Sequence, residues 1–145
     1  MAHVSDILAA KDSVILSIRP DASALDAAML MNEHKVGALI VVQSDRMVGI
    51  ISERDLLRRV IAQRHDPAGT LVRDVMTTNV ICCEQTDDVE AVREIMREKR
   101  IRHIPVMDGV QKPLGMISIG DLNAWQIHGH EKTIHYLHEY IHGAA

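Results

Sequence analysis

Two short strings concentrate the side chains able to do chemistry. Gly49-Ile-Ile-Ser-Glu-Arg-Asp55 and Gly115-Met-Ile-Ser-Ile-Gly-Asp121 share the pattern Gly-apolar-Ile-Ser-x-x-Asp. An apolar run that ends in Ser, with an acid three residues on, reads as a strand passing into a helix, the Ser at the N-cap and the acid closing a capping box. The same geometry suits a sugar phosphate. A helix start offers unpaired N–H groups and the positive dipole end to an anion. Ser52 and Ser118 add hydroxyls, and Asp55 and Asp121, one turn in, are bidentate acceptors for the two hydroxyls of a ribose. Gly49 and Gly115 leave room for a backbone or a ligand beside the strand. One hydroxyl can cap and also touch a ligand, so the two readings are compatible.

Stepping outward, the strings belong to an internal repeat. Val4-Ser-Asp-Ile-Leu8 matches Val72-Arg-Asp-Val-Met76, Met31 to Val36 matches Met96 to Ile101, and Ala38 to Val42 matches His103 to Met107, all at offsets of 65 to 68. Four blocks in the same order at nearly the same offset, the Gly-Ser-Asp strings being the fourth, mark a tandem duplication. Each copy reads strand, helix, strand, strand, helix. The first strand is expected at Val14 to Ile18 and at Val80 to Cys83. The helix that follows shows apolar spacing of three and four at Ala24, Ala27, Ala28 and Met31, and at Val89, Val92 and Met96. β-Branched pairs come next, Ala38 to Gln43 with Met47 to Ile51, and His103 to Met107 with Leu114 to Ile117, joined by polar turns. Leu56, Leu57, Val60 and Ile61 are expected to line one face of the helix after Ser52. Pro and Gly in His65 to Thr70 mark the linker.

The expected fold is therefore α/β (α+β), two βαββα units packed sheet to sheet about a pseudo-twofold axis. Residues 1–66 form repeat 1, 67–127 repeat 2, and 128–145 a helical tail. A unit of about sixty residues closes its own core poorly, which favours one compact module.

Composition narrows the partners. The 145 residues carry net charge −4, one Trp, two Tyr and no Phe. An acidic chain this poor in stacking rings is a poor match for nucleic acid. No run approaches the ~20 apolar residues of a membrane helix, and no signal peptide is visible at the N-terminus. Cys82 and Cys83, being adjacent, cannot close a useful bridge and read as small buried hydrophobes on a strand, in keeping with a reducing cytoplasmic setting.

The doubled Gly-x-x-Ser-x-x-Asp strings, Arg102-His-Ile-Pro-Val106 and the Asp74-Val-Met76 start strongly resemble a tandem pair of cystathionine β-synthase domains, the CBS pair or Bateman module, over Val4 to Gln126. The resemblance implies two clefts between the copies, frequent homodimers, and adenosine-derived ligands: AMP first, with ATP, ADP, NAD or S-adenosylmethionine as alternatives. It implies a sensing role without catalysis and without a catalytic cofactor. Carried over, Asp55 and Asp121 hold ribose, Ser52 and Ser118 its phosphate edge, and Arg54, Arg102 and His103 face phosphate. Adenine rests on aliphatic atoms near Val14, Val80, Val36 and Ile101. In the first copy Gly37 and Ala38 stand where Arg102 and His103 stand in the second, with Lys35 the nearest cation, and Gly120 replaces the equivalent of Arg54. The clefts are thus expected to differ.

The tail holds five of the nine histidines. His135, His138 and His142 share one helical face opposite Ile134, Leu137 and Ile141, an amphipathic helix expected to dock on the module or a second chain with its histidines in water. No metal site is expected. The competing reading is a ligand-free dimerisation scaffold acting through this helix on a separate, unidentified target protein.

Overall fold

The structure is a computed structural model that describes residues 2–11, 15–109 and 111–127. In the first copy, α1 (Val4–Ala10) and β1 (Ser17–Ile18) lead to α2 (Ala24–His34), then β2 (Ala38–Gln43), β3 (Arg46–Ser52) and α3 (Glu53–Asp55), which runs on as a π-helix over Leu56–Ile61. In the second copy, α4 (Val72–Val75) precedes α5 (Val89–Lys99), β4 (His103–Asp108), β5 (Lys112–Ser118) and α6 (Ile119–Ile127). β1 runs parallel to β2, while β2–β3 and β4–β5 are antiparallel hairpins. Where the two sheets meet, β3 and β5 are in contact, and Met47 N–H donates to Gln111 O at 2.8 Å.

The duplication holds at the level of single residues. Both hairpins carry a bulge at the same repeat position, between Val41 and Val42 and between Val106 and Met107. α2 and α5 both end on a left-handed residue, Lys35 and Arg100, each at φ 54°. Each of these two residues bonds back to a methionine, Met31 O and Met96 O.

One expected strand is missing. Val80 to Cys83 is reduced to a single bridge, with Cys83 N–H donating to Pro105 O at 3.0 Å and Met107 N–H to Cys83 O at 2.9 Å. The cause is Pro105. Its counterpart Ile40 donates to Leu16 O at 3.2 Å and so extends the parallel ladder, but proline has no N–H to offer Ile81. Along this extended segment side chains alternate. Cys83 is buried and its thiol is pushed up to about 12, mainly by burial, with Asp87 and Cys82 adding to it. Cys82 is exposed, against expectation.

The helix after Ser52 buries less than its pattern suggested. Val60 is fully covered, but Leu57 and Ile61 are 61% and 58% exposed. They lie one step round the helix, at the rim of the stripe, and the first-copy core closes over Val60 without them.

Each copy has its own core, and the leading helices are exchanged. Val4 and Ile7 of α1 pack with Val89, Val92, Met96, Ile104, Val106, Ile117 and Leu122 of the second copy. Val72 and Val75 of α4 pack with Ala24, Ala27, Met31, Leu39, Val41, Ile51 and Val60 of the first. Backbone bonds lock the exchange: Val4 N–H to Asp87 O at 2.9 Å, and Val72 N–H to Ala22 O at 2.8 Å. Burying two β-branched or aliphatic side chains per helix contributes about 3–6 kcal/mol to each docking. Core continuity therefore crosses the repeat boundary twice. Val14 and the C-terminal segment with its histidines lie outside the described residues. Among the described residues no helix is long and apolar enough to cross a membrane.

Two candidate ligand-binding clefts

Both serines cap. Ser52 Oγ accepts from Asp55 N–H at 3.2 Å, and Ser52 N–H donates to Asp55 Oδ2 at 3.0 Å. Ser118 and Asp121 repeat this at 3.0 and 2.9 Å. The first helical amides are also taken: Glu53 N–H donates to Gly37 O at 2.9 Å and Ile119 N–H to Arg102 O at 2.8 Å. The helix starts are thus largely satisfied by protein, which leaves few first-turn amides for an anion and puts weight on the charged side chains nearby.

Each Ser–Asp pair opens on a cleft. The Asp55 cleft, about 300 Å³, is lined by Ser52, Arg54 and Asp55 of the first copy and by Val80, Ile81, Ile101, Arg102 and His103 of the second. The Asp121 cleft, about 260 Å³, is lined by Ser118 and Asp121 of the second copy and by Ile15, Leu16, Lys35 and Val36 of the first. His103 lines both. Each cleft thus sets a carboxylate from one repeat opposite an aliphatic wall from the other, at the small end of the ~300–1,000 Å³ typical of small-molecule sites. Every expected site residue among the described ones lies in one cleft or the other. Arg54 also reaches across the mouth, donating from Nη1 to Arg100 O at 3.0 Å.

Several side chains not singled out from the sequence complete the clefts. Thr77, set down just after α4, donates from Oγ1 to Asp55 Oδ1 at 3.0 Å. Arg59 Nε lies 3.8 Å from the same oxygen, and Arg58, Arg59 and Glu53 line the cleft. Lys11, the residue that caps the end of α1, bridges Met116 O and Asp121 Oδ2 with its ammonium, each at 2.8 Å. The signal for Thr77 and Lys11 is the leading-helix exchange, which no local pattern encodes. For Arg58 and Arg59 it was their place one turn beyond Asp55.

The glycines make room for protein. A methyl at Gly49 would sit 2.7 Å from Thr77 O and 2.8 Å from Met76 Sδ; at Gly115 it would meet Leu8 Cδ2 at 3.0 Å. Gly49 thus admits the Thr77 backbone, which bonds Ile50 in both directions at 2.9 and 2.8 Å. At Gly37 a methyl would lie 2.9 Å from Glu53 Oε1 and 3.1 Å from His103 Cε1, so the bare α-carbon lets His103 reach both clefts.

Electrostatics favour anions. Four arginines against two carboxylates leave the Asp55 cleft at +2, and two lysines against one carboxylate leave the Asp121 cleft at +1. Burial holds His103 below the ordinary imidazole value; Glu53 and Asp121 oppose this without reversing it, and Arg102 and Lys11 reinforce it, so the ring is neutral at pH 7. Partial burial pushes Asp121 up, but the bonds from Lys11 and Ser118 and the Lys11 charge outweigh it and hold the carboxyl below its usual value.

Paired α/β repeats with a carboxylate-bearing crevice on each side of their interface define a tandem α/β repeat module. Residues 4–62 and 72–127 both match the CBS domain, and the chain belongs to that family. It is 36% identical over 97% of its length to the CBS domain-containing protein CBSX3, mitochondrial, of Arabidopsis thaliana, covering 72% of that protein. The solved CBS-domain containing protein ATU1752 from Agrobacterium tumefaciens superposes with a TM-score of 0.80 at 35% identity, over 87% of this chain and all of the other. The CBS domain protein PAE2072 from Pyrobaculum aerophilum, solved in complex with AMP, superposes at 0.74 with 28% identity, over 83% of this chain and 89% of that one.

Proposed function

We propose that this chain is a non-catalytic regulatory module whose clefts bind an adenine nucleotide, AMP above ATP, ADP, NAD or S-adenosylmethionine. One observation carries the reading: each crevice pairs a carboxylate held in a capping box with an aliphatic wall fit for a purine and an excess of positive charge. The AMP complex of the Pyrobaculum relative supports the ligand class. The charge of both clefts favours phosphorylated adenosine over the cationic sulfonium of S-adenosylmethionine. Thermal unfolding of the full chain with each compound tests this. At ~100 times its Kd a ligand adds about 2.7 kcal/mol of stability. We expect a shift with AMP and none with S-adenosylmethionine at equal concentration; no shift with any of them removes the ligand claim.

The same reading includes a homodimer in a reducing, cytoplasmic setting, acting on a separate target protein. Leu25 and Met29 on α2, and Leu57 and Ile61 on the π-helical turn packed beside it, are 41%, 61%, 61% and 58% exposed. Four large apolar side chains exposed on two helices in contact suit burial against a second copy of the chain. Sedimentation of the wild type should give a dimer and Met29→Glu with Leu57→Glu a monomer; a monomeric wild type overturns the dimer.

A further inference from the structure

The two carboxylates are approached by different donors from the segments that follow α1 and α4. In the Asp55 cleft Thr77 does two jobs: its backbone N–H donates to Ile50 O at 2.8 Å and its hydroxyl to Asp55 Oδ1 at 3.0 Å. In the Asp121 cleft one ammonium does both. Met116 occupies the repeat position of Ile50, and Lys11 Nζ donates to Met116 O and to Asp121 Oδ2.

An ammonium carries three N–H donors. Two are spent on these bonds, and the third has no partner among the described residues. Lys11 lines the cleft with its side chain 35% exposed. Asp121 Oδ2 is filled by Ser118 N–H and Lys11, whereas Oδ1 has no partner among the described residues. A cationic donor and a carboxylate acceptor therefore stand side by side, open to the same crevice. A sugar hydroxyl is both donor and acceptor and satisfies the pair at once. In the Asp55 cleft the hydroxyl proton of Thr77 is already given to the carboxylate, which leaves that group to act as an acceptor.

We propose that Lys11 is a ligand-contacting, specificity-determining residue, through which the Asp121 cleft grips a ribose hydroxyl with an ammonium–carboxylate pair. This rests on the adenosine-ligand reading above and adds that the two clefts read the ribose by different chemistry, the Asp121 cleft the more stringently.

Calorimetric titration of the full chain with AMP and with 2′,3′-dideoxy-AMP, which lacks both ribose hydroxyls, tests it. The binding phase lost in Asp121→Asn marks the cleft. In that phase Lys11→Met should weaken AMP about ten-fold, as expected for a charge-assisted hydrogen bond, and should weaken the dideoxy analogue by much less, since contacting groups couple. Lys11→Arg should restore most of the loss. The unliganded thermal midpoints of the variants report whether each is folded. Equal losses for both nucleotides make Lys11 a structural group and overturn the proposal. So does unchanged or tighter AMP binding in Lys11→Met, which would make the ammonium a competitor for Asp121. Binding that survives Asp121→Asn in full also overturns it, while leaving the Asp55 cleft and the functional reading intact. A wild-type chain that binds no adenosine compound ends both.

Discussion

Asp55 and Asp121 stand at the same point of their repeats, both close a capping box, and both face the opposite copy, yet their surroundings diverge. Asp55 has a side chain only 9% exposed, hydrogen-bonded by Ser52 and Thr77, with the Arg59 guanidinium 3.8 Å from Oδ1. Asp121 is 24% exposed and tied to Lys11 at 2.8 Å. The first carboxylate takes its short hydrogen bonds from neutral donors, with a guanidinium only at ion-pair distance; the second is bonded directly by an ammonium. Duplicated folding has conserved the position of the acceptor, and the exchanged leading helices have supplied each with a different neighbour. Asymmetry between the clefts thus arises from the residue that follows α1 or α4, outside the repeated motif.

The sharpest way to break this contrast is at the glycines. Gly49→Ala places a methyl 2.7 Å from the Thr77 carbonyl, a backbone atom pinned by two bonds to Ile50 that cannot give way cheaply. The expected cost is about 2–3 kcal/mol of stability, read as a lowered unfolding midpoint in urea, together with loss of ligand at the Asp55 cleft. Gly115→Ala meets only the far end of the Leu8 side chain and should cost less than about 1 kcal/mol. Equal costs would mean that Thr77 and Leu8 are equally rigid, and would remove the structural half of the comparison.

Next in size is Thr77→Val. It keeps the shape and the Ile50 bonds but leaves Asp55 Oδ1, nearly excluded from water, without its hydroxyl donor. A deficit of about 1–2 kcal/mol follows. The direct counterpart, loss of the Lys11 bond, should move unliganded stability less, because a third of that side chain is in solvent and exposed pairs contribute little. Paired melts of the two variants measure the difference, and a larger loss for the lysine variant would reverse the ranking.

Much of this was legible in the chain. The repeat, both Ser–Asp motifs and the unequal distribution of Arg54, Arg102, His103 and Lys35 follow from residue types and spacing, because capping and β-hairpins are local. The bridging by Pro105 was legible too, had the missing N–H been set against the donor that Ile40 supplies. What stayed hidden depends on which copy an apolar face covers. Val4 and Ile7 form a buried pair under either docking, and nothing local selects the second copy over the first. Lys11 and Thr77 acquire their roles only through that choice. The exposure of Leu57 and Ile61 was hidden for a related reason: a stripe wider than the core can cover looks the same in sequence as one fully covered. The tail and Val14 lie outside the described residues.

The smallest expected effect concerns the ring shared by the clefts. His103 is neutral at pH 7 because burial lowers its pKa. The groups facing it are Glu53 from α3, Arg102 beside it, Asp121 from α6 and Lys11 after α1. Without ligand, the unfolded chain takes up a proton on this residue before the folded chain does. Its contribution to stability is therefore complete above about pH 6.5 and is lost as pH falls through that value toward the lowered folded pKa. A phosphate brought against the ring reverses the balance, since a nearby anion favours the imidazolium. Binding should then draw a proton onto His103 and strengthen as pH falls from 8 to 6, by about three-fold. The phosphate itself gains a proton near pH 6, so the quantity to read is the wild-type pH profile minus that of His103→Gln, by calorimetry in two buffers of different ionisation enthalpy. A difference confined to the phase that Asp121→Asn abolishes would assign the ring to the lysine-bearing cleft. A difference in both phases would make it a group common to the two, and no difference at all would show that the phosphate is held by the arginines and lysines alone.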